Sequence, residues 1–324
     1  MNKQLLTALL ATTVSVSAQT ITYDFNSQWN GDWQTYHTQT GGSSYSPSMN
    51  YSKSHEGRLG GAGGNTLGGT VSAPAGYQGQ ITSIYEGIPT RSLVNSTDRI
   101  RLQGSYSAFA NQNAFQNTGV SEAGQVGIIN AGSSNASKTL SGGDSVYLGF
   151  KELTWTGQNV SAPYPGTATL ELGLYVDGVQ QVSFGTYTAF DYGARISNGS
   201  IWAQWYEYDI LFENLGNGDL GYKIGVNQVS HYYDGPTGSI NEGAPVSIGT
   251  WQGSLGSNGG ITNLSNLRAA YGTNIVNTDV TVTGFTFDHT QSGDLHDGVI
   301  VVPEPSSSLL AAFSSFLLLV RRKR

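Results

Sequence analysis

An all-β fold, built as an antiparallel β-sandwich, is what this sequence predicts, and three observations carry the prediction. Apolar and polar residues alternate with a period of two along much of the chain, and Asp-Gly stands between two such runs. Clusters of Gly, Asn and Ser separate the runs, and no long stretch of 3.6-residue periodicity occurs outside the terminal segments. Composition agrees. Charged residues make up 11% of the 324-residue chain, against about 25% in an ordinary soluble domain, and 44 glycines accompany many Ser, Thr, Asn and Gln. The 18 Tyr, 11 Phe and 6 Trp supply the apolar surface that a disordered chain lacks.

Taken in chain order, strands are expected at Ile21 to Phe25, Ile100 to Gly104, Ser145 to Trp155, Trp202 to Phe212, Gly221 to Val226 and Val280 to Phe287. The clearest pair lies among them: Leu170, Leu172, Leu174 and Val176 alternate with Glu171, Gly173 and Tyr175, then come the turn Asp177-Gly178 and a return run from Val179 to Phe184. Gly57 to Gly69 is glycine-rich but lacks the Gly-Lys-Ser/Thr ending of a phosphate loop, so it reads as a flexible loop. There is no internal repeat and no proline-rich linker, so residues 19–301 form one body, of a size that can bury a substantial core. The spacing of the runs suits a two-layer sandwich. The Leu174 to Val179 hairpin, Leu-Tyr-Val-Asp-Gly-Val, is similar to one in laminin-G-like and concanavalin-like jelly rolls. That resemblance implies a jelly-roll-like sandwich of a kind that often binds glycans.

The two ends carry addresses. Residues 1–18 show Lys3, the apolar run Leu5 to Val14 and the small-residue ending Val16-Ser17-Ala18, the pattern of a secretory signal cut by signal peptidase after Ala18. Residues 302–324 read Val302-Pro303-Glu304-Pro305, then an uncharged stretch from Ser306 to Val320, then Arg321, Arg322, Lys323 and Arg324. At about 1.5 Å per residue a helix over 306–320 spans roughly 22 Å, a minimal crossing of a hydrocarbon core near 30 Å. The four terminal charges would hold that end in the cytoplasm and leave the body outside. This tail resembles the PEP-CTERM sorting signal of Gram-negative bacteria. The resemblance implies recognition of Pro303, Glu304 and Pro305 by an exosortase, a transient inner-membrane anchor, and a final place at the cell surface or in an extracellular matrix of exopolysaccharide and biofilm.

Charge and cysteine content exclude other classes. The whole chain carries a formal −7, but residues 19–303 hold 10 basic and 21 acidic side chains, which is −11. No basic patch is visible, so nucleic acid is not an expected partner. The absence of cysteine rules out disulfides, thiolate metal sites and cysteine nucleophiles.

Three groups of residues could carry chemistry. In the run Trp205 to Glu213, alternation puts Trp205, Glu207, Asp209, Leu211 and Glu213 on one face and Tyr206, Tyr208, Ile210 and Phe212 on the other, so one face is acidic and the other is core. An acidic strand of this kind resembles the one in laminarinase-type jelly-roll glycoside hydrolases, which implies Glu207 and Asp209 as candidate catalytic carboxylates. The last glutamate departs from that pattern. A retaining pair needs carboxyls about 5 Å apart, and the Cα atoms of Glu207 and Glu213 lie nearly 20 Å apart on a regular strand at about 3.3 Å per residue. Two acids on a solvent-facing strand also serve simply for solvation. A second group, Asp288, His289, Asp294, His296 and Asp297, has oxygen and nitrogen donors suited to a hard or borderline cation such as structural Ca, or forms a solvated spacer before the tail. No cofactor is otherwise expected. The third group, Trp29, Trp33 and Tyr36 among Asn, Asp and Gln, offers stacking surfaces to sugar rings or seals the core.

The expected function is that of a non-catalytic surface or matrix protein, handled by the export machinery and an exosortase and associated with extracellular polysaccharide. A secreted glycoside hydrolase or lyase using the acids of the 205–213 strand is the alternative, and a purely structural coat domain is the third.

Overall fold

The computed structural model describes residues 33–40, 50–53, 66–73, 78–85, 90, 92–96, 98–110, 121–130, 132, 138–156, 167–191, 200–216, 218–234, 239–242, 244–276 and 285–292. The described residues form fifteen strands: β1 Trp33–Thr40, β2 Asn50–Lys53, β3 Thr66–Ala73, β4 Gln78–Tyr85, β5 Arg99–Ala110, β6 Ser121–Asn130, β7 Ser145–Thr156, β8 Thr167–Val176, β9 Val179–Asp191, β10 Ser200–Asn214, β11 Asp219–Asp234, β12 Ser239–Glu242, β13 Val246–Ser257, β14 Leu267–Val276 and β15 Phe285–Ser292. They make two antiparallel sheets. One runs β1-β4-β14-β6-β7-β8-β9; the other runs β12-β11-β10-β5-β15-β3-β2, with β13 also paired to β11. The chain is thus an all-β, jelly-roll-like antiparallel sandwich.

The expected strands at 100–104, 145–155, 202–212 and 221–226 lie inside β5, β7, β10 and β11, and the end of the 280–287 run lies in β15. Ile21 to Phe25 and the two terminal signals fall outside the described residues. One expectation needs correction. Thr66 to Gly69 of the glycine-rich stretch belong to β3, where Gly68 and Gly69 pair with Thr290 and His289 of β15. Backbone pairing makes this strand, and it requires no side-chain pattern.

The β8–β9 hairpin closes through Asp177 (φ 49°) and Gly178 (φ 78°), the two positive φ values of a type I′ turn. A Cβ at residue 178 would sit 2.3 Å from the Ser141 carbonyl oxygen, so glycine is required there. Ser145 locks the turn: its N–H donates to an Asp177 carboxylate oxygen at 2.9 Å, and the Asp177 N–H donates to its carbonyl at 3.1 Å.

Between the sheets, Val146, Leu148 and Phe150 of β7 and Leu170, Leu172 and Leu174 of β8 are buried on one side of the core, and Leu102, Tyr206, Tyr208, Ile210, Phe212 and Ile224 on the other. Rings meet across the gap: Phe150 and Tyr206 at 5.7 Å, Phe184 and Tyr222 at 6.1 Å, and Tyr208 and Tyr271 at 6.4 Å between centroids. Full burial of each such side chain stabilises by roughly 1.5–3 kcal/mol before entropy is counted.

The seven-stranded sheet is apolar on its outer face too. There Ile84, Ile129, Tyr147, Tyr175 and Ala270 form a second buried cluster with Leu140, and the Tyr147 and Tyr175 rings stack at 5.1 Å. Residues 138–144 roof this face. The Leu140 N–H donates to Thr82 Oγ1 at 3.0 Å, Thr139 Oγ1 donates to Gln80 Oε1 at 2.7 Å, and Gln125 Nε2 donates to Ser141 Oγ.

Candidate functional site

The outer face of the eight-stranded sheet differs. The alternation read along 205–213 is present: Tyr206, Tyr208, Ile210 and Phe212 are buried, while Glu207, Asp209, Leu211 and Glu213 are partly exposed. Register then sets their neighbours. Arg101, Leu211, Lys223 and Gln252 line up across β5, β10, β11 and β13; Arg99, Glu213, Gly221 and Ser254 form the row on one side, and Gln103, Asp209, Gly225 and Thr250 the row on the other.

These rows enclose an open trough of about 840 Å³, lined by Arg99, Arg101, Asp209, Leu211, Glu213 and Lys223 together with Gly225, Thr250 and Gln252. Its depth comes from Gly225 of β11, two residues beyond Lys223. A Cβ on Gly225 would meet only the Thr250 methyl, at 3.7 Å, so the space above it is open.

Ion pairs hold the walls. Arg101 donates to both oxygens of Asp209, from Nε at 2.7 Å and from Nη2, and Gln103 Nε2 adds a bond to the same carboxylate at 2.9 Å. Arg99 Nε donates to Glu213 at 3.2 Å, and Lys223 Nζ reaches its other oxygen at 2.9 Å. The Arg101–Asp209 and Lys223–Glu213 links are diagonal between strands, the reach that long side chains have across a sheet, while Arg99–Glu213 and Gln103–Asp209 join directly opposed residues. The Glu213 carboxyl is held below its ordinary value, first by the Lys223 hydrogen bond, against the opposing effect of burial, with Arg99 adding to it. Arg101 is raised, chiefly through its hydrogen bond to Asp209. Exposed pairs of this sort add about 0–1 kcal/mol each, so they position the groups more than they stabilise the fold.

Trp251 also borders the trough, yet it belongs to the opposite face. Its register row is that of buried Ile224, Ile210 and Leu102, and its ring stacks on Phe184 of the other sheet at 4.6 Å. It seals the side of the sandwich where β13 meets β9.

The sequence-derived candidates scatter. Glu207 accepts a bond from Asn227 Nδ2 at 3.4 Å, one row beyond Asp209. Between Ala203 and Asn214 the β10 register has no bulge, so Glu207 and Glu213 stay far apart along one strand. Tyr36 is half-buried against the outer cluster of the seven-stranded sheet, with Lys138 Nζ 4.7 Å above its ring centre. Trp33 opens β1 opposite Tyr85. Asp288 and His289 lie consecutively in β15, between β3 and β5. Trp29, Asp294, His296, Asp297, Pro303, Glu304, Pro305 and the terminal basic residues Arg321, Arg322, Lys323 and Arg324 lie outside the described residues. Among the described residues, no three His, Asp or Glu side chains converge as a metal site.

Sequence reasoning missed Arg99, Arg101, Gln103 and Lys223. A signal was present: the β5 run Arg99-Ile100-Arg101-Leu102-Gln103 alternates as cleanly as the acidic strand and presents cations where β10 presents anions. A second, smaller cleft of about 590 Å³ lies among the loops at one end of the sandwich, lined by Asn95, Ser96, Asn214, Thr262, Asn263 and neighbours with no charged side chain.

No family model matches this sequence, and no curated protein sequence matches it. Solved structures similar to it include peanut lectin (13% identity, 88% of this chain and 97% of that one, TM-score 0.37), lectin II from Ulex europaeus (9%, 85% and 96%, 0.39) and arcelin-5, a lectin-like defense protein from Phaseolus vulgaris (6%, 88% and 97%, 0.34). Identities and TM-scores this low carry no argument about what this chain binds.

Proposed function

We propose that this chain is a non-catalytic exported surface or matrix protein whose sandwich binds polysaccharide along the trough. The observation that carries the reading is the trough itself, an open channel of donors and acceptors held in place on four paired strands. A hydroxyl-rich, extended ligand matches such a surface, because rigid polar groups cost little ordering entropy on binding. The weakly charged, Gly- and aromatic-rich body and its two terminal signals support export, with signal peptidase and an exosortase as processing partners and the cell surface or matrix as destination.

The hydrolase reading gains nothing from the acids of β10. Asp209 is held in an ion pair with Arg101 and takes a further bond from Gln103, and Glu207 and Glu213 stay far apart along the strand, so those two cannot form a retaining pair.

Binding of the full-length chain to a polysaccharide array, compared with Gly225→Phe, tests the site. The substitution fills the trough and is expected to abolish capture; capture that survives it overturns the assignment. Mass spectrometry of the protein recovered from its own host tests the sorting. Cleavage near Pro303 is expected, and a mature product ending at Arg324 would refute it.

A further inference from the structure

We infer that the polysaccharide taken by this trough is anionic, with uronate carboxylates received by Arg101 and Lys223 on either side of Leu211. This rests on the trough being the binding site, and it adds the chemical class of the ligand.

The first ground is charge. The segment 19–303 holds only 10 basic side chains against 21 acidic ones. Three of those cations, Arg99, Arg101 and Lys223, line this one trough against two carboxylates, Asp209 and Glu213. The lining is therefore net positive inside a strongly negative body. Such a body repels polyanions in general, so it can hold one only where cations are gathered.

The second ground is geometry. Arg101 and Lys223 share a register row with Leu211 between them, two strand spacings apart, or about 10 Å between Cα atoms. Their side chains are 43% and 53% exposed; of the two carboxylates, Asp209 is 41% exposed and Glu213 only 13%. The protein's own carboxylates, on the strand between the two cations, thus anchor them while both side chains stay substantially exposed. A ligand carboxylate laid over Leu211 would complete a charge-assisted set on both flanks, meeting Arg101 through the guanidinium edge not committed to Asp209.

The third ground is what the wall lacks. A neutral sugar is commonly gripped through the face of an aromatic ring. Among the described residues the aromatic one bordering the trough is Trp251, which is committed to Phe184 in the seam between the sheets, and Leu211 supplies the apolar floor. The described wall offers recognition through charge and hydrogen bonds.

Isothermal titration of the full-length chain with an oligogalacturonate and with the same oligomer after carboxyl reduction to the neutral sugar tests this. The uronate is expected to bind about tenfold or more tightly than its reduced counterpart, with an affinity that falls as salt rises. Arg101→Gln and Lys223→Gln are each expected to collapse that preference, and Gly225→Phe to abolish binding of both oligomers. Thermal unfolding of each variant confirms that it is folded; in Lys223→Gln, Glu213 keeps its bond to Arg99.

Equal binding of both oligomers, lost in Gly225→Phe, would overturn the anionic assignment and leave the trough as a neutral glycan site. Uronate binding that is indifferent to all three variants would overturn the trough reading as well. Absence of binding by either oligomer, with capture on the polysaccharide array intact and sensitive to Gly225→Phe, would overturn the uronate assignment alone.

Discussion

The two outer faces of the sandwich have met the problem of exposed sheet in opposite ways. On the seven-stranded sheet the outer face is apolar and aromatic, and residues 138–144 fold over it, so that Leu140, Tyr147 and Ile129 are completely buried. On the eight-stranded sheet the outer face carries Arg99, Arg101, Asp209, Glu213 and Lys223, and the trough above them is open. The first face is built for stability and the second is left available. A charged sheet face with glycine-made depth has little value to the fold, and that contrast is why the proposed binding site is placed there.

The largest expected effect is on the roofed face. Leu140→Ala should destabilise the protein by about 3 kcal/mol, the usual cost of truncating a fully buried leucine, seen as a lower urea midpoint with an unchanged m-value. Next comes the pin that holds one end of that roof. Asp144 accepts bonds from Asn130 Nδ2 at 2.8 Å and from the Thr262 N–H at 2.9 Å, and Asp144→Ala should cost about 2 kcal/mol in the same assay. Arg101→Gln, on the open face, should cost under about 1 kcal/mol. A loss as large as that of Leu140→Ala would mean that the trough is structural, and the contrast between the faces would fail.

Proton linkage sharpens the comparison. Glu213 is held below its ordinary value of 4.5 by Lys223 and Arg99, so its stabilising contribution is present above that value and is lost as pH falls through the lowered folded-state pKa. A urea-midpoint profile of Glu213→Gln should therefore run below wild type at neutral pH and converge with it in acid. Asp177, at the β8–β9 turn, has the opposite sign. Burial pushes its carboxyl above the ordinary 3.8 despite the Ser145 N–H, and Asp144 adds to the rise. Its favourable contribution is present below 3.8 and is lost as pH rises through the raised folded-state value. Asp177→Asn should give the smallest effect, a slight gain at neutral pH, because Asn-Gly suits the same type I′ turn.

Much of this was legible in the chain. The alternation of Leu170, Leu172 and Leu174 and the Asp177-Gly178 turn specified a hairpin, and the Tyr206 to Phe212 pattern specified which side of β10 is core. Other strands left no such trace. β13 reads Val-Ser-Ile-Gly-Thr-Trp-Gln-Gly-Ser-Leu-Gly-Ser, with no sustained alternation between buried and exposed positions, and it is a strand because β11 offers its backbone a partner. β3 is a strand for the same reason. Tyr36 and Trp251 are both aromatics set among polar residues in the chain. Only packing shows that Lys138 covers the one and Phe184 the other.

The sequence by itself determined which side chains of each strand turn inward, because a pleated strand alternates strictly and water sorts the two sets. It also determined that the face bearing Glu207, Asp209 and Glu213 would be wetted. The tertiary structure decided what those acids meet. Arg101 and Asp209 are 108 residues apart in the chain, and their meeting depends on how β5 is placed beside β10 and in which register. That placement follows from the summed fit of many core side chains, and no local run of residues encodes it.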